Sequence, residues 1–497
     1  MESFHFLLQG FATCLEPSNL VFALLGCLVG TIIGVLPGIG PAAGTAMLLP
    51  LTFGLPPTAS IIMLSAIYYG SMYGGTITSV LVNMPGEAAS AITCLDGYQM
   101  ARNGRAGPAL AVAAIGSFIG GTVATMGLVL LAVPLTAIAL KFGPPEFFCL
   151  MLVGLSLATS LASQSLLRAM ISTVFGLLLA MVGMDPVLGV PRFTFGQKDL
   201  LDGFGIVPLA MGMFGLGELL LTAQDSKITV VKARLKDMWL SWAEFKISFR
   251  PIVRGTLIGF FLGLIPGVGV LVPTFLSYAL ERRFSRYPQK FGTGVIEGVA
   301  APETANNAYC NAAMIPLSTL GVPGSAVIAI IMSAFMMNGL IPGPFLFKEH
   351  PLIVWAVISS FYIGNLVLLV MNLPMIPLWV SLLRIPKPIL YTLILGFCLI
   401  GAYTMHNSVF DVGLTLGFGI LGYLFRKLDL PMAPMILTVI LGPMMERALR
   451  QTLDMSRGDF SIFFTRPISI VLLILAVALF VSSLTRMSRA VKEDSVV

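Results

Sequence analysis

The chain has 497 residues, 57% hydrophobic and only 10% charged, with a formal net charge of +6 and a mean hydropathy of +0.94. Soluble domains carry about 25% charged residues, so this composition excludes a soluble enzyme or binding module and places the chain in a membrane. The modest basic excess fits Lys- and Arg-bearing cytoplasmic loops and gives no reason to invoke nucleic acid.

Taken in order, the N-terminal "MESFHFLLQGFATCLEPSN" holds two Glu and no Lys or Arg. A cleavable signal peptide needs a positive first region, and the first Lys or Arg is Arg102. The segment is therefore read as a periplasmic N-terminus. Residues 26–40, "GCLVGTIIGVLPGIG", start as a helix whose Gly26, Gly30 and Gly34 have small-xxx-small packing spacing. Pro37, Gly38 and Gly40 then break it. This is no nucleotide loop, because "GTAM" follows where GK[ST] is required. Residues 68–87, "YYGSMYGGTITSVLVNMPGE", form a polar stretch, and 94–107 read as a polar loop with a turn at Asp96-Gly97. Apolar runs at 108–140, 166–183 and 205–222 predict spans. Basic residues with Trp239 and Trp242 in 223–250 predict an amphipathic arm on the cytoplasmic lipid surface. Residues 255–269 repeat the first broken segment, and 301–324, "APETANNAYCNAAMIPLSTLGVPG", form a second polar stretch. Further spans follow at 351–372, 388–405 and 467–485, and Arg486, Arg489 and Lys492 place the C-terminal tail, 486–497, in the cytoplasm. The expected fold is an all-α integral membrane protein with about twelve spanning or half-spanning elements.

The repeat sets the organisation. "GCLVGTIIGVLPGIG" aligns without a gap on "GTLIGFFLGLIPGVG", matching six Gly or Pro positions in fifteen at an offset of 229. "NMPGEAASAI" (83–92) aligns more weakly on "GVPGSAVIAI" (321–330), at an offset of 238. The chain divides into a first transmembrane repeat at 17–222, the linker 223–250 and a second repeat at 251–485. The second broken segment is flanked by Arg250, Arg254, Arg282, Arg283 and Arg286, and the first by no basic residue. Opposite charge bias predicts inverted topology. The 26 residues 255–280 are too few for two full spans, which need about 40, so each PGxG is expected at the tip of a re-entrant helical hairpin beside a broken helix.

Such an architecture belongs to secondary transporters, whose broken tips mark the substrate site. Half-helix N-termini bind anions without a buried Arg. Hydroxyls and amides of the two polar stretches are further candidates, strongest at Asn306, Asn307 and Asn311, because amides are costly in hydrocarbon. Glu303 beside them reads either as an intramembrane Na⁺ ligand or proton carrier, or as an interfacial residue following Arg286 and Lys290. Carbonyls at Gly38, Gly40, Gly267 and Gly269 are alternative Na⁺ ligands. The six cysteines form no CxxC pair, and the three histidines lie far apart. No organic cofactor, no resident metal beyond Na⁺ and no enzymatic centre is expected.

Together "GVLPGIGP", "YGGTITSVLVNMPGE", "LDGY", "IPGVG" and "PETANNA" resemble the large membrane subunit of the tripartite tricarboxylate transporter family (a TctA-like permease). The resemblance spans nearly the whole chain and departs from the family pattern at Gln99, where a proline is expected. It implies a bacterial inner-membrane importer of citrate-like carboxylates driven by Na⁺ or H⁺. Its partners would be a periplasmic solute-binding protein (TctC-like) and a small four-helix membrane subunit (TctB-like). It also implies a substrate site among Pro37, Gly38, Gly40, Tyr73, Gly74, Gly75, Asn83, Pro266, Gly267, Gly269, Asn306 and Asn307, to which the polar stretches add Thr76 and Asn311. Glu303 and the turn residues Pro85, Gly86, Pro323 and Gly324 also match its pattern. A stand-alone ion-coupled transporter and a passive anion channel stay open as alternatives.

Overall fold

The computed structural model describes residues 2–36, 39–161, 165–185, 188–222, 239–382 and 387–494. Almost all of it is helix, with one short antiparallel pair, Gly183–Met184 against Pro191–Arg192. In chain order the first half holds α1 (Glu2–Cys14), α2 (Pro17–Val35), α3 (Gly40–Leu48), α4 (Pro57–Val82), α5 (Thr93–Arg102), α6 (Ala106–Ala139), α7 (Pro144–Leu161) and α8 (Leu166–Ala180). It ends on a continuous rod of α9 (Ile206–Ala210), a π-helical segment at Met211–Leu216 and α10 (Gly217–Thr222). The second half holds α11 (Trp242–Gly263), α12 (Leu271–Phe284), α13 (Glu297–Ala312), α14 (Met314–Leu320), α15 (Ala326–Met337), α16 (Pro344–Glu349) and α17 (Pro351–Asn372). It closes with α18 (Ile376–Leu382), α19 (Lys387–His406), α20 (Val409–Lys427), α21 (Met432–Met455), α22 (Ile462–Thr465) and α23 (Pro467–Asp494). Among the described residues five helices, α2, α6, α17, α20 and α21, are both long and apolar enough to cross a membrane. Leu, Ile, Val and Phe side chains exposed along α6, α19, α20 and α23 form the outward surface expected toward lipid. The protein is an all-α integral membrane protein.

The repeated glycines act at helix crossings. A Cβ on Gly26, Gly30 or Gly34 would run into the main chain of Met63, Ile67 or Ser71 on α4, and one on Gly255, Gly259 or Gly263 into that of Ala301, Ala305 or Tyr309 on α13. Each contact in the first half thus recurs 238 residues later on the partner helix. The register continues past the helix ends. Asn83 closes α4 in the left-handed region at φ 57°, and Gly321 closes α14 there at φ 71°. Glu87 and Ser325, the next equivalent pair, are both extended, at φ −146° and −154°, and each opens the following helical turn.

Two sequence expectations need correction. Residues 94–107 are not a loop: α5 runs through Asp96-Gly97, and the turn falls at Asn103-Gly104. The Asp96 carboxylate is satisfied over long range and not by an Asx turn. It accepts Tyr278 Oη at 2.8 Å and the backbone N–H groups of Gly292, Gly294 and Val295 at 2.8–3.0 Å. The second hairpin also differs from two half-helices within 255–280. Its first limb, α11, has 22 residues because a capping box at Ser241 and Glu244 starts the helix at Trp242. Its second limb, α12, has 14. The amphipathic arm is thus continuous with α11 from Trp242 onward, and 223–238 lie outside the described residues. Arg254 on α11 grips Glu281 on α12 with two bonds of 2.8 and 2.6 Å, so the limbs lie side by side with the Gly267 turn at the far end.

Candidate functional site

The two glycine turns line one cavity. Gly40 adopts φ 66°, and Gly267 and Gly269 adopt φ 83° and 72°, a conformation that side-chain-bearing residues seldom take. The Gly267 N–H donates to the Gly324 carbonyl at 3.2 Å, tying the second tip to the Pro323-Gly324 turn. The equivalent Pro85-Gly86 turn presses against Gly34 and Gly75. Between these four segments lies a cavity of about 410 Å³, within the range of small-molecule sites. Ile39–Ala42 and Gly267–Leu271 supply the tips of its wall, Pro85–Ala88 and Ser325–Val327 the turns, and Tyr68 and Met72 the side of α4. Ala158, Phe214, Glu218, Arg426, Ala433 and Leu437 close the opposite side from α7, the π-helical rod, α20 and α21.

Three α-helices, α3, α12 and α15, begin at this wall. Their first-turn N–H groups have no intrahelical acceptor, and each end carries partial positive charge. Among the described lining residues Arg426 is the one basic side chain, and it is paired with Glu218 at 2.7 Å. A bound anion would therefore meet backbone donors, not a free guanidinium.

Polar residues of the core are engaged elsewhere. Asn307 donates to Ser117 Oγ at 2.7 Å, and Asn311 to the Gly121 carbonyl at 2.9 Å and Thr125 Oγ1 at 3.0 Å, fastening α13 to α6. Tyr73 donates to Asn365 at 3.0 Å, joining α4 to α17. Gly74 is a packing glycine against Thr31 and Val35. Gly75 leaves room for Glu87, whose Cγ would lie 3.0 Å from a Cβ there. Thr76 and Thr93 donate to the two oxygens of Glu303, which is 1% exposed. The carboxylate is thus interior, not interfacial. Asn306 donates at 2.7 Å to Glu87, and Asn83 caps α4.

Of the residues singled out in the sequence, Gly40, Pro85, Gly86, Gly267 and Gly269 line the cavity, while Tyr73, Gly74, Gly75, Thr76, Asn83, Pro266, Glu303, Asn306, Asn307 and Asn311 do not. Pro37 and Gly38 lie outside the described residues. Sequence reasoning passed over Tyr68 and Glu87. The signal for Glu87 was present: the alignment at offset 238 sets it against Ser325 as the one charged position in the paired turns.

A helical membrane protein with a small-molecule cavity enclosed by paired helix breaks has the construction of a transporter. The profile of the tripartite tricarboxylate transporter TctA family matches residues 20–437, and the chain belongs to that family of transporters. It is 47% identical over 488 residues, 98% of its own length and 97% of the relative's, to an Agrobacterium vitis protein described as an uncharacterized 52.8 kDa protein in the TAR-I ttuC′ 3′ region. A second A. vitis protein, from the TAR-II ttuC′ 3′ region, is 44% identical over 215 residues, 43% of this chain and 89% of the relative. No solved structure matches the chain.

Proposed function

We propose that this chain is the large permease subunit of a binding-protein-dependent secondary transporter. It imports organic carboxylates, tricarboxylates such as citrate or related di- and monocarboxylates, across the bacterial inner membrane. A Na⁺ or H⁺ gradient drives it, and the two repeats have inverted topology with a periplasmic N-terminus and a cytoplasmic C-terminus. The observation that carries this reading is the convergence of the α3, α12 and α15 N-termini on one cavity. Carboxylates suit such a wall because backbone N–H groups and helix ends stabilise oxyanions without a buried counter-ion. The cavity lies among α4, the glycine turns and α7, α20 and α21, whose relative displacement opens it to one side and then the other. A periplasmic TctC-like binding protein delivers substrate, and a TctB-like four-helix subunit completes the assembly.

The test is uptake of labelled citrate into vesicles holding the chain, its small membrane partner and the purified binding protein. Accumulation that requires both the imposed gradient and the binding protein is expected. Accumulation without the binding protein would select a stand-alone transporter, and equilibration without accumulation would select a channel.

A further inference from the structure

The cavity wall contains a carboxylate that the anion-binding reading does not need. Glu87 lines the cavity and is 6% exposed. Its described hydrogen-bond donors are neutral: Asn306 Nδ2 at 2.7 Å and, in a capping box, the Ser90 backbone N–H. No ion pair among the described residues includes Glu87 or Glu303. The other charged lining residues, Glu218 and Arg426, neutralise each other. A second and independent observation points to a ligand at the same place. Tyr68 lines the cavity, is 2% exposed, and its hydroxyl has no oxygen or nitrogen partner, only the Cys310 thiol beside it. Its polar neighbours are Glu87, Tyr309 and the Cys310 thiol, and a thiol is a weak partner. A buried hydroxyl left unmatched is costly, and an uncompensated buried carboxylate more so. Both costs fall on one corner of one cavity.

We infer that Glu87 and Tyr68 form a site for a monovalent cation, a proton or Na⁺, that must be filled before a carboxylate enters the cavity. The inference rests on the carboxylate-transport reading for its consequence, not for the site itself. The charge argument is direct. A carboxylate substrate and an ionised Glu87 in one low-dielectric cavity repel each other strongly. A proton or Na⁺ on Glu87 removes that repulsion, and by linkage the substrate raises the cation's affinity by the same factor. Glu303 stands behind Glu87, held by Thr76 and Thr93 and three residues before Asn306 on α13. The groups facing Glu87 are thus Asn306 and Glu303 from α13, Tyr68 from α4 and Cys310 from α13. None supplies a positive charge.

The experiment uses the purified full-length chain in detergent. Its thermal midpoint is followed against NaCl with choline chloride as the ionic-strength control, and separately on acidification, in wild type and Glu87→Gln. Wild type is expected to be stabilised by one of the two, which names the cation, and the response is expected to vanish in Glu87→Gln. An unresponsive wild type, or a Glu87→Gln variant that responds like wild type, overturns the site. Where Glu87→Gln does not fold, Tyr68→Phe takes its place. Loss of one hydrogen bond displaces its cation midpoint by roughly 2- to 12-fold, and no displacement overturns the site. Citrate is then added. In wild type its apparent affinity should fall about 5- to 150-fold when the cation is withheld, and an affinity indifferent to the cation overturns the coupling. A cation response with no citrate response at all would reject citrate as the substrate while upholding the site.

Discussion

The turns at Pro85-Gly86-Glu87 and Pro323-Gly324-Ser325 hold equivalent places in the two halves, with nearly the same backbone angles, yet one ends in a carboxylate and the other in a hydroxyl. Ser325 is fully occupied in capping α15, its Oγ accepting the Ile328 N–H at 3.4 Å. Glu87 closes a capping box with Ser90 and also reaches across to Asn306. The difference separates two kinds of inheritance. The repeat supplies a symmetric frame of packed glycines and helix ends, and the positions where the halves diverge supply the charge.

The largest expected effect breaks the frame itself. Gly267→Leu should abolish citrate uptake while the protein still inserts at normal levels, because the new side chain would collide with the Gly154 carbonyl and strain a backbone at φ 83°. Wild-type uptake by this variant would remove the hairpin tip from the site. Next, the double exchange Glu87→Ser with Ser325→Glu tests whether the turns are interchangeable. Uptake should stay as low as in Glu87→Ser alone, since the Asn306 and Tyr68 environment exists only on one side; recovery would mean that the halves are functionally equivalent. Ser325→Ala should cost about 0.5–2 kcal/mol through loss of the cap, read as a lower thermal midpoint. Asn307→Ala should cost about 0.6–1.7 kcal/mol, the range for interhelical hydrogen bonds in membranes, and weaken uptake more than Ser79→Ala. Ser79 bonds to Gly75 of its own helix and to nearby Ser90, so the reverse order would shift attention to the first half.

How much could be read beforehand divides along the same line. The helices at Ala106–Ala139 and Pro351–Asn372 follow from apolar length alone, which is local information, whereas the runs at 166–183 and 467–485 fall on shorter apolar helices. The crossing glycines were legible because their spacing recurs. The asparagines read as too costly to lie idle in hydrocarbon, but cost does not say whether the partner is a ligand or a neighbouring helix. For Asn307 and Asn311 the partners lie on α6, 186–190 residues away. Asp96 misled for the same reason, its acceptor duties being met 182–199 residues later. Tyr68 was hidden because a missing hydrogen bond is a property of three-dimensional surroundings and leaves no mark in the sequence.

The ties between α13 and the first half also set a timetable for biogenesis. Thr76, Thr93 and Ser117 meet their partners on α13 only 186–227 residues later in the chain. At a synthesis rate of about 5–20 residues per second, the first half waits in the bilayer roughly 10–45 s for those partners to be made. Until then its hydroxyls must be held by its own backbone, as Thr76 is by Met72. The two halves are therefore completed as one object, after the ribosome has passed the asparagines of α13.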